Sequence, residues 1–310
     1  MPQQLQAPAR SATLACANPD RRGAMSELNV PDDVQVLRDV EFGRGGGRPL
    51  RMDIYRPKAP PEEPMPAVIW IHGGAWRQGD KESGGPRLVP LVQHGYFGAS
   101  IEYRLSPEAV FPAQIEDCKC AVRYLRAHAE EYHINPGRIG AWGSSAGGHL
   151  VAMLGTTAGI KELEGTGGWA EQSSSVQAVC DWFGPTDFTS IADQPSRIAH
   201  DAPDSPGGML IGGSLRENRE KAIRASPVTY AHKDAPPFLI MHGKADQTVP
   251  PQQSIILAEA LRKAGVPVDL VLVDGMGHGA GGFTTPANLK QVIEFFDKHL
   301  KGPAARAAQP

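Results

Sequence analysis

Gly143-Ser144-Ser145-Ala146-Gly147 is a G-x-S-x-G string with Ser145 at its centre. A serine hydroxyl is a weak nucleophile near neutral pH. It becomes useful when a base takes its proton and a third group orients that base. Histidine suits the base, because its pKa lies near working pH. If the reaction is acyl transfer, a carbonyl oxygen gathers negative charge, and N–H donors fixed beforehand stabilise it by on the order of 3 kcal/mol each. Ser144 rivals Ser145 only by adjacency, since no glycines flank it symmetrically.

Candidates for the other roles lie far away in the chain. His72-Gly73-Gly74-Ala75-Trp76 follows the apolar run Ala67-Val68-Ile69-Trp70-Ile71. A loop of this kind supplies backbone N–H groups to an oxyanion, joined by the amide after the nucleophile. Gly74, Ala75 and Ala146 are the expected donors. His72 reads as a loop-shaping hydrogen bonder, and Trp76 as either an acyl-pocket wall or a loop-packing aromatic. His278, in Asp274-Gly275-Met276-Gly277-His278-Gly279, is the expected base, because its glycine-rich loop allows close approach. Asp246, just beyond the run Phe238–Met241, is the expected acid, with Asp187, Asp269 and Asp274 as competitors. His242 reads as a strand-end hydrogen bonder and His149 as a helix residue near the site. Glu116 or Asp117 is available to pair with Arg104 beneath it.

These residues need a framework that brings strand ends together. Val34–Phe42 and Leu50–Tyr55 alternate around a Gly-rich turn and predict a hairpin. The run 67–71 suits a strand covered on both faces. Further strands are expected at 96–103, 138–142, 176–183, 238–241 and 268–273. Helices are expected at 112–131, from 149 to 154, at 252–263 and at 288–300. Residues 185–235 have weak periodicity and read as an irregular insertion or lid. Alternation of strands and helices implies an α/β fold, a mostly parallel sheet with helices on both faces. The serine then sits on a sharp strand-to-helix turn, and parallel strands carry the loops of Asp246 and His278 to the same edge.

Composition narrows the rest. The chain has 310 residues, with 31 Lys plus Arg against 34 Asp plus Glu, for a net charge of −3. That balance argues against nucleic acid as a partner. No run approaches the ~20 apolar residues of a membrane span, so no membrane role is expected. Cys16, Cys118, Cys120 and Cys180 have no zinc-ligand spacing and read as buried apolar residues in a reducing compartment. Residues 1–30 read as a disordered extension, 31–301 as one domain and 302–310 as a disordered tail. Met25 is an alternative start. The expected location is cytoplasmic, with export as the alternative.

The motifs together carry a family resemblance. HGGAWRQGDK (72–81), YRLSPEAVFPAQIEDCKCAVRYLR (103–126), GSSAGGHL (143–150), DWFGPTDF (181–188), PPFLIMHGKADQTVP (236–250) and the GHG at 277–279 resemble α/β-hydrolase carboxylesterases. The nearest likeness is to bacterial esterases grouped with bifunctional acetylxylan and feruloyl esterases. Hormone-sensitive-lipase-like esterases are more distant, and differ in having HGGG where this chain has HGGA. The resemblance spans about residues 34–300. It implies an α/β-hydrolase fold and a cofactor-free, metal-free serine esterase with Ser145, Asp246 and His278 as triad. The implied substrate is a small-molecule or polysaccharide-linked ester, such as an acetyl or feruloyl ester of a plant polysaccharide. The same triad can also serve amide or formamide hydrolysis. A non-catalytic binding protein on this fold would be expected to have lost a triad residue.

Overall fold

The computed structural model of the chain describes residues 30–279 and 282–302. The expectations for an N-terminal extension, for Cys16 and for most of the C-terminal tail lie outside those residues. Eight strands form one sheet: β1 (Val34–Gly45), β2 (Arg48–Pro57), β3 (Met65–Ile71), β4 (Phe97–Ile101), β5 (Ile134–Ser144), β6 (Ala178–Trp182), β7 (Phe238–Gly243) and β8 (Val268–Val273). Their spatial order is β1-β2-β4-β3-β5-β6-β7-β8. β1 pairs antiparallel with β2, and β2 with β4, whereas every later pair is parallel. Parallel strands end on a common edge, so the loops after β3, β5, β6, β7 and β8 gather there.

Alternation along the central strands fills two cores. Ala67, Ile69 and Ile71 of β3 face one cluster, and Val68 and Trp70 face the other. The first core is covered by α2 (Ala113–Ala127), α3 (Ala146–Thr156) and α6 (Gln252–Lys263), through side chains such as Ile115, Leu150 and Leu257. The second is covered by α1 (Gly85–Gln93) and α7 (Pro286–Phe296), through Leu88, Leu91, Val292 and Phe296. Trp70, Trp142 and Trp182 pack edge-on across neighbouring strands, with centroids 5.1 and 4.8 Å apart in succession. Among the described residues, no helix is long and apolar enough to cross a membrane.

The sheet and most helices fall where the sequence puts them, with ends displaced by a few residues. α1 was not expected. Gly84, Gly85, Pro86 and Pro90 read as breakers, yet Pro is tolerated in a first helical turn, and burial of Leu88, Leu91 and Val92 holds the rest in place. The stretch 185–235 holds two short helices, α4 (Pro206–Ile211) and α5 (Arg219–Arg224), joined by turns.

Ion pairs brace the loops after β3 and β4. The Arg104 guanidinium grips Asp117 through Nε at 2.8 Å and Nη2 at 2.7 Å, and reaches Glu116 at 3.1 Å. Lys81 Nζ holds Asp53 at 3.1 Å and Asp39 at 3.0 Å, anchoring the segment that follows Trp76 to the hairpin.

Candidate active site

Ser145 stands between β5 and α3 with φ 55° and ψ −117°. A non-glycine residue in such a conformation costs about 1–3 kcal/mol and persists only where its surroundings over-determine it. Here the Ser145 N–H donates to the Trp182 carbonyl at 2.8 Å, and the Ser145 carbonyl accepts from the His149 N–H at 3.0 Å. A Cβ on Gly147 would strike the Ile71 carbonyl, so only glycine lets α3 leave so close to β3. The turn projects the serine side chain from the sheet edge. Ser144 ends β5 with its side chain buried.

The structure brings Ser145, His278 and Asp246 into one hydrogen-bonded line. Ser145 Oγ lies 2.9 Å from His278 Nε2, and His278 Nδ1 lies 2.7 Å from Asp246 Oδ2. Asp246 is buried, and its Oδ1 accepts from the Thr248 N–H at 2.8 Å and the Val249 N–H at 3.0 Å. Burial alone would raise its pKa. Hydrogen bonds from His242, His278 and the Thr248 N–H outweigh that and hold the carboxyl well below the usual range. An ionised carboxylate at Nδ1 fixes the proton there and leaves Nε2 to accept from the serine. His242 braces the acid from behind. Its Nε2 donates to the Val249 carbonyl at 2.9 Å and lies 3.2 Å from Asp246 Oδ2, and its Nδ1 accepts from Ser254 Oγ at 2.7 Å.

The competing acids are engaged elsewhere. Asp187 Oδ1 and Oδ2 accept from the Thr189 and Ser190 hydroxyls, both at 2.6 Å. Asp274 is exposed and pairs with Lys244 at 2.8 Å. Asp269 is exposed on β8.

The loop after β3 comes up beside the serine. Gly74, Ala75 and Trp76 all have positive φ, at 108°, 57° and 56°. Its turn bonds, from Arg77 N–H and Gln78 N–H to the Gly74 carbonyl, use neither the Gly74 nor the Ala75 amide. Ala146 opens α3, where first-turn amides have no intrahelical acceptor. His72 shapes this loop, as expected: its Nδ1–H donates to the Gly73 carbonyl at 2.7 Å, and its ring stacks on Tyr103 at 4.3 Å. Trp76 lines the cavity that contains Ser145, and its Nε1–H donates to His149 Nδ1 at 3.1 Å. His149 in turn donates from Nε2 to the Ala225 carbonyl at 2.7 Å. Burial pushes the His149 pKa down to about 4, so the ring stays neutral.

The cavity that contains Ser145 has a volume of about 50 Å³. Ala75 and Trp76 line it from the loop after β3, and Pro185, Phe188, Ile191, Ile198, His200, Pro206 and Gly207 from the 185–235 stretch, with Thr248 and Val249 completing it; the Trp76 and Phe188 rings lie 5.7 Å apart. The sequence reading gives 185–235 as an insertion or lid that shapes the pocket, but singles out none of these residues. They are isolated apolar side chains in a stretch without periodicity, and nothing in their spacing marks them.

A mostly parallel sheet, a strained serine between strand and helix, and partners on loops after later strands together define an α/β-hydrolase. Comparison with known proteins agrees. A carbohydrate esterase from gut microbiota, solved in truncated form, is 34% identical with a TM-score of 0.78, covering 85% of this chain and 95% of that one. Propionate-bound esterase 2 of Thermogutta terrifontis is 25% identical with a TM-score of 0.69, covering 88% of this chain and 94% of that one. LipM of Mycobacterium tuberculosis, described as a probable carboxylic ester hydrolase, is 31% identical over 266 residues, covering 79% of this chain. The match spans 60% of the length of LipM. Residues 52–261 match the BD-FAE family, and the chain belongs to it.

Proposed function

We propose that this chain hydrolyses carboxylic esters through an acyl-enzyme on Ser145. The observation that carries this reading is the unbroken line of 2.9 and 2.7 Å contacts from Ser145 through His278 to Asp246. Ser145 Oγ attacks the ester carbonyl while His278 Nε2 takes its proton. Asp246 holds the imidazole in the Nδ1–H tautomer and stabilises the imidazolium. The amides of Gly74, Ala75 and Ala146 receive the developing oxyanion. His278 then protonates the leaving alcohol, the alcohol departs, and His278 activates water to release the acid.

The acyl group is short. A cavity of about 50 Å³ walled by Trp76, Phe188, Ile191 and Pro206 suits an acetyl or propionyl group better than a feruloyl ring. The likeness to an esterase solved with propionate bound supports the same choice, and the likeness to a carbohydrate esterase supports a carbohydrate ester. Acetylated plant polysaccharide is the proposed natural substrate class. The test is turnover of p-nitrophenyl acetate, butyrate, octanoate and feruloyl esters, together with fluorophosphonate labelling. The expected result is labelling at Ser145 and a fall in kcat/KM with acyl length. Absence of labelling at Ser145, or faster turnover of an arylformamide than of any ester, would overturn it.

A further inference from the structure

The DWFGPTDF segment supplies no reacting group, yet its first turn touches the supports of all three triad residues. β6 ends at Trp182, whose carbonyl accepts the Ser145 N–H at 2.8 Å. Phe183 follows with φ 45°. A bulky aromatic residue with positive φ is an outlier that calls for an explanation. Its N–H donates to the Met241 carbonyl on β7, the strand that leads to Asp246. Its ring packs edge-to-face on His278 at 4.9 Å and lies 4.7 Å from Phe283, beyond the His278 loop.

What holds this turn is a carboxylate. Asp181 is fully buried, and its Oδ1 accepts the Gly184 N–H at 2.9 Å, closing the turn over Trp182 and Phe183. Its Oδ2 has no partner among the described hydrogen bonds. Burial pushes the carboxyl up to about 6, against the pull of the Gly184 N–H and of His242. A Cβ on Gly148, in the first turn of α3, would collide with Asp181 Oδ1, so the helix leaves this oxygen the room it occupies. A buried polar group this poorly compensated is costly, and its position fits a role in holding the turn.

We infer that Asp181 and Phe183 are positioning residues: the turn they form sets the placement of the Ser145 backbone and the plane of the His278 ring relative to each other. The Trp182 carbonyl fixes one partner and the Phe183 ring the other, so a single rigid turn defines their separation. Neither side chain hydrogen-bonds to Ser145 Oγ or to a His278 ring nitrogen, and Phe183 acts on His278 through ring packing alone. The inference rests on Ser145 and His278 acting as proposed above.

The experiment compares Asp181→Asn, Asp181→Ala and Phe183→Leu with wild type and Ser145→Ala, using p-nitrophenyl acetate kinetics, the rate of fluorophosphonate labelling and Tm. Asparagine keeps an oxygen for the Gly184 N–H, and leucine keeps apolar bulk without the ring. Misplacement of reacting groups by about 1 Å costs up to about a hundredfold. Asp181→Ala and Phe183→Leu are therefore expected to lower kcat and labelling rate by about tenfold to a hundredfold, with KM little changed. Asp181→Asn is expected to restore kcat to within about threefold of wild type. Folded Phe183→Leu with wild-type kcat, or Asp181→Asn as impaired as Asp181→Ala, overturns the inference. If Asp181→Ala does not fold, Phe183→Leu and Asp181→Asn decide it alone. An inactive, unlabelled wild type, or an active Ser145→Ala, would instead overturn the proposed function.

Discussion

The two walls of the Ser145 cleft are held by different forces. On the sheet side every important group is fixed by short, directed hydrogen bonds: Ser145 to His278, His278 to Asp246, Asp246 to the Thr248 and Val249 amides. On the other side, Pro185 to Gly207 present apolar surfaces that contribute shape and exclusion of water. Hydrogen bonds are directional and fail outright when one partner is removed. Packed apolar surface is non-directional and yields in proportion to volume. Substitutions on the sheet side should therefore abolish turnover whatever the acyl group, and those on the far side should re-rank acyl groups.

The largest expected effect is that of Ser145→Ala. It should lower kcat by about 10⁴-fold or more for every ester, measured on protein whose circular dichroism matches wild type. An effect that varied with acyl length would erase the distinction between the walls. Asp246→Asn comes next, with an expected loss of about 10³–10⁴-fold, because the amide disturbs the His278 tautomer. A loss below tenfold would mean that another acid, such as Asp187, can substitute.

Gly207→Val sharpens the contrast from the other wall. A Cβ at Gly207 would meet Phe188 at 3.4 Å and Leu215 at 3.5 Å, both ordinary contact distances, so the change is sterically accessible. It should narrow the cavity and lower kcat/KM for butyrate by about tenfold relative to acetate, in line with ~1–3 kcal/mol per methylene in a pocket. Equal losses for both esters would show that this wall does not hold the acyl chain.

The smallest effect concerns the seam between the walls, where Trp76 and His149 meet Ala225. His149 stays neutral down to about pH 4 when folded, whereas an unfolded histidine takes a proton near 6.5. Between those values the unfolded chain binds more protons than the folded one, so stability rises with pH and acidification costs up to about 1.4 kcal/mol per pH unit. His149→Phe should flatten the fall of Tm between pH 6.5 and 4.5. An unchanged slope would mean that other groups carry the acid sensitivity. Trp76→Phe, which strands His149 Nδ1, should lower stability by about 1–3 kcal/mol in urea unfolding.

Much of this was legible in the order of residues. β3, β5 and β7 announce themselves as apolar runs followed at once by glycine-rich polar strings, because a parallel strand buried on both faces must be apolar and its loop must turn sharply. That pattern singles out Ser145, the HGGAW loop and Asp246 as candidates, and the glycine-rich string after β8 adds His278. α1 was hidden because its prolines and glycines oppose local helix propensity, and contact with the sheet overrides them. The turn 181–184 was hidden for a related reason. Phe183, like Ser145, has a positive φ, but no flanking pair of glycines advertises it.

The sequence by itself determined the chemical identities: a serine, an imidazole, a carboxylate and a strand-helix rhythm able to carry them to one edge. Periodicity and glycine placement are local properties, and local properties can be read from neighbouring residues. Only the tertiary structure decided which aspartate reaches His278 and how small the cavity beside Ser145 is. It also decided that His149 joins the two walls and that a buried carboxylate supports the site from behind. Those outcomes depend on side chains separated by dozens of residues meeting at distances of about 3 Å, and no local pattern records where a distant chain will pass.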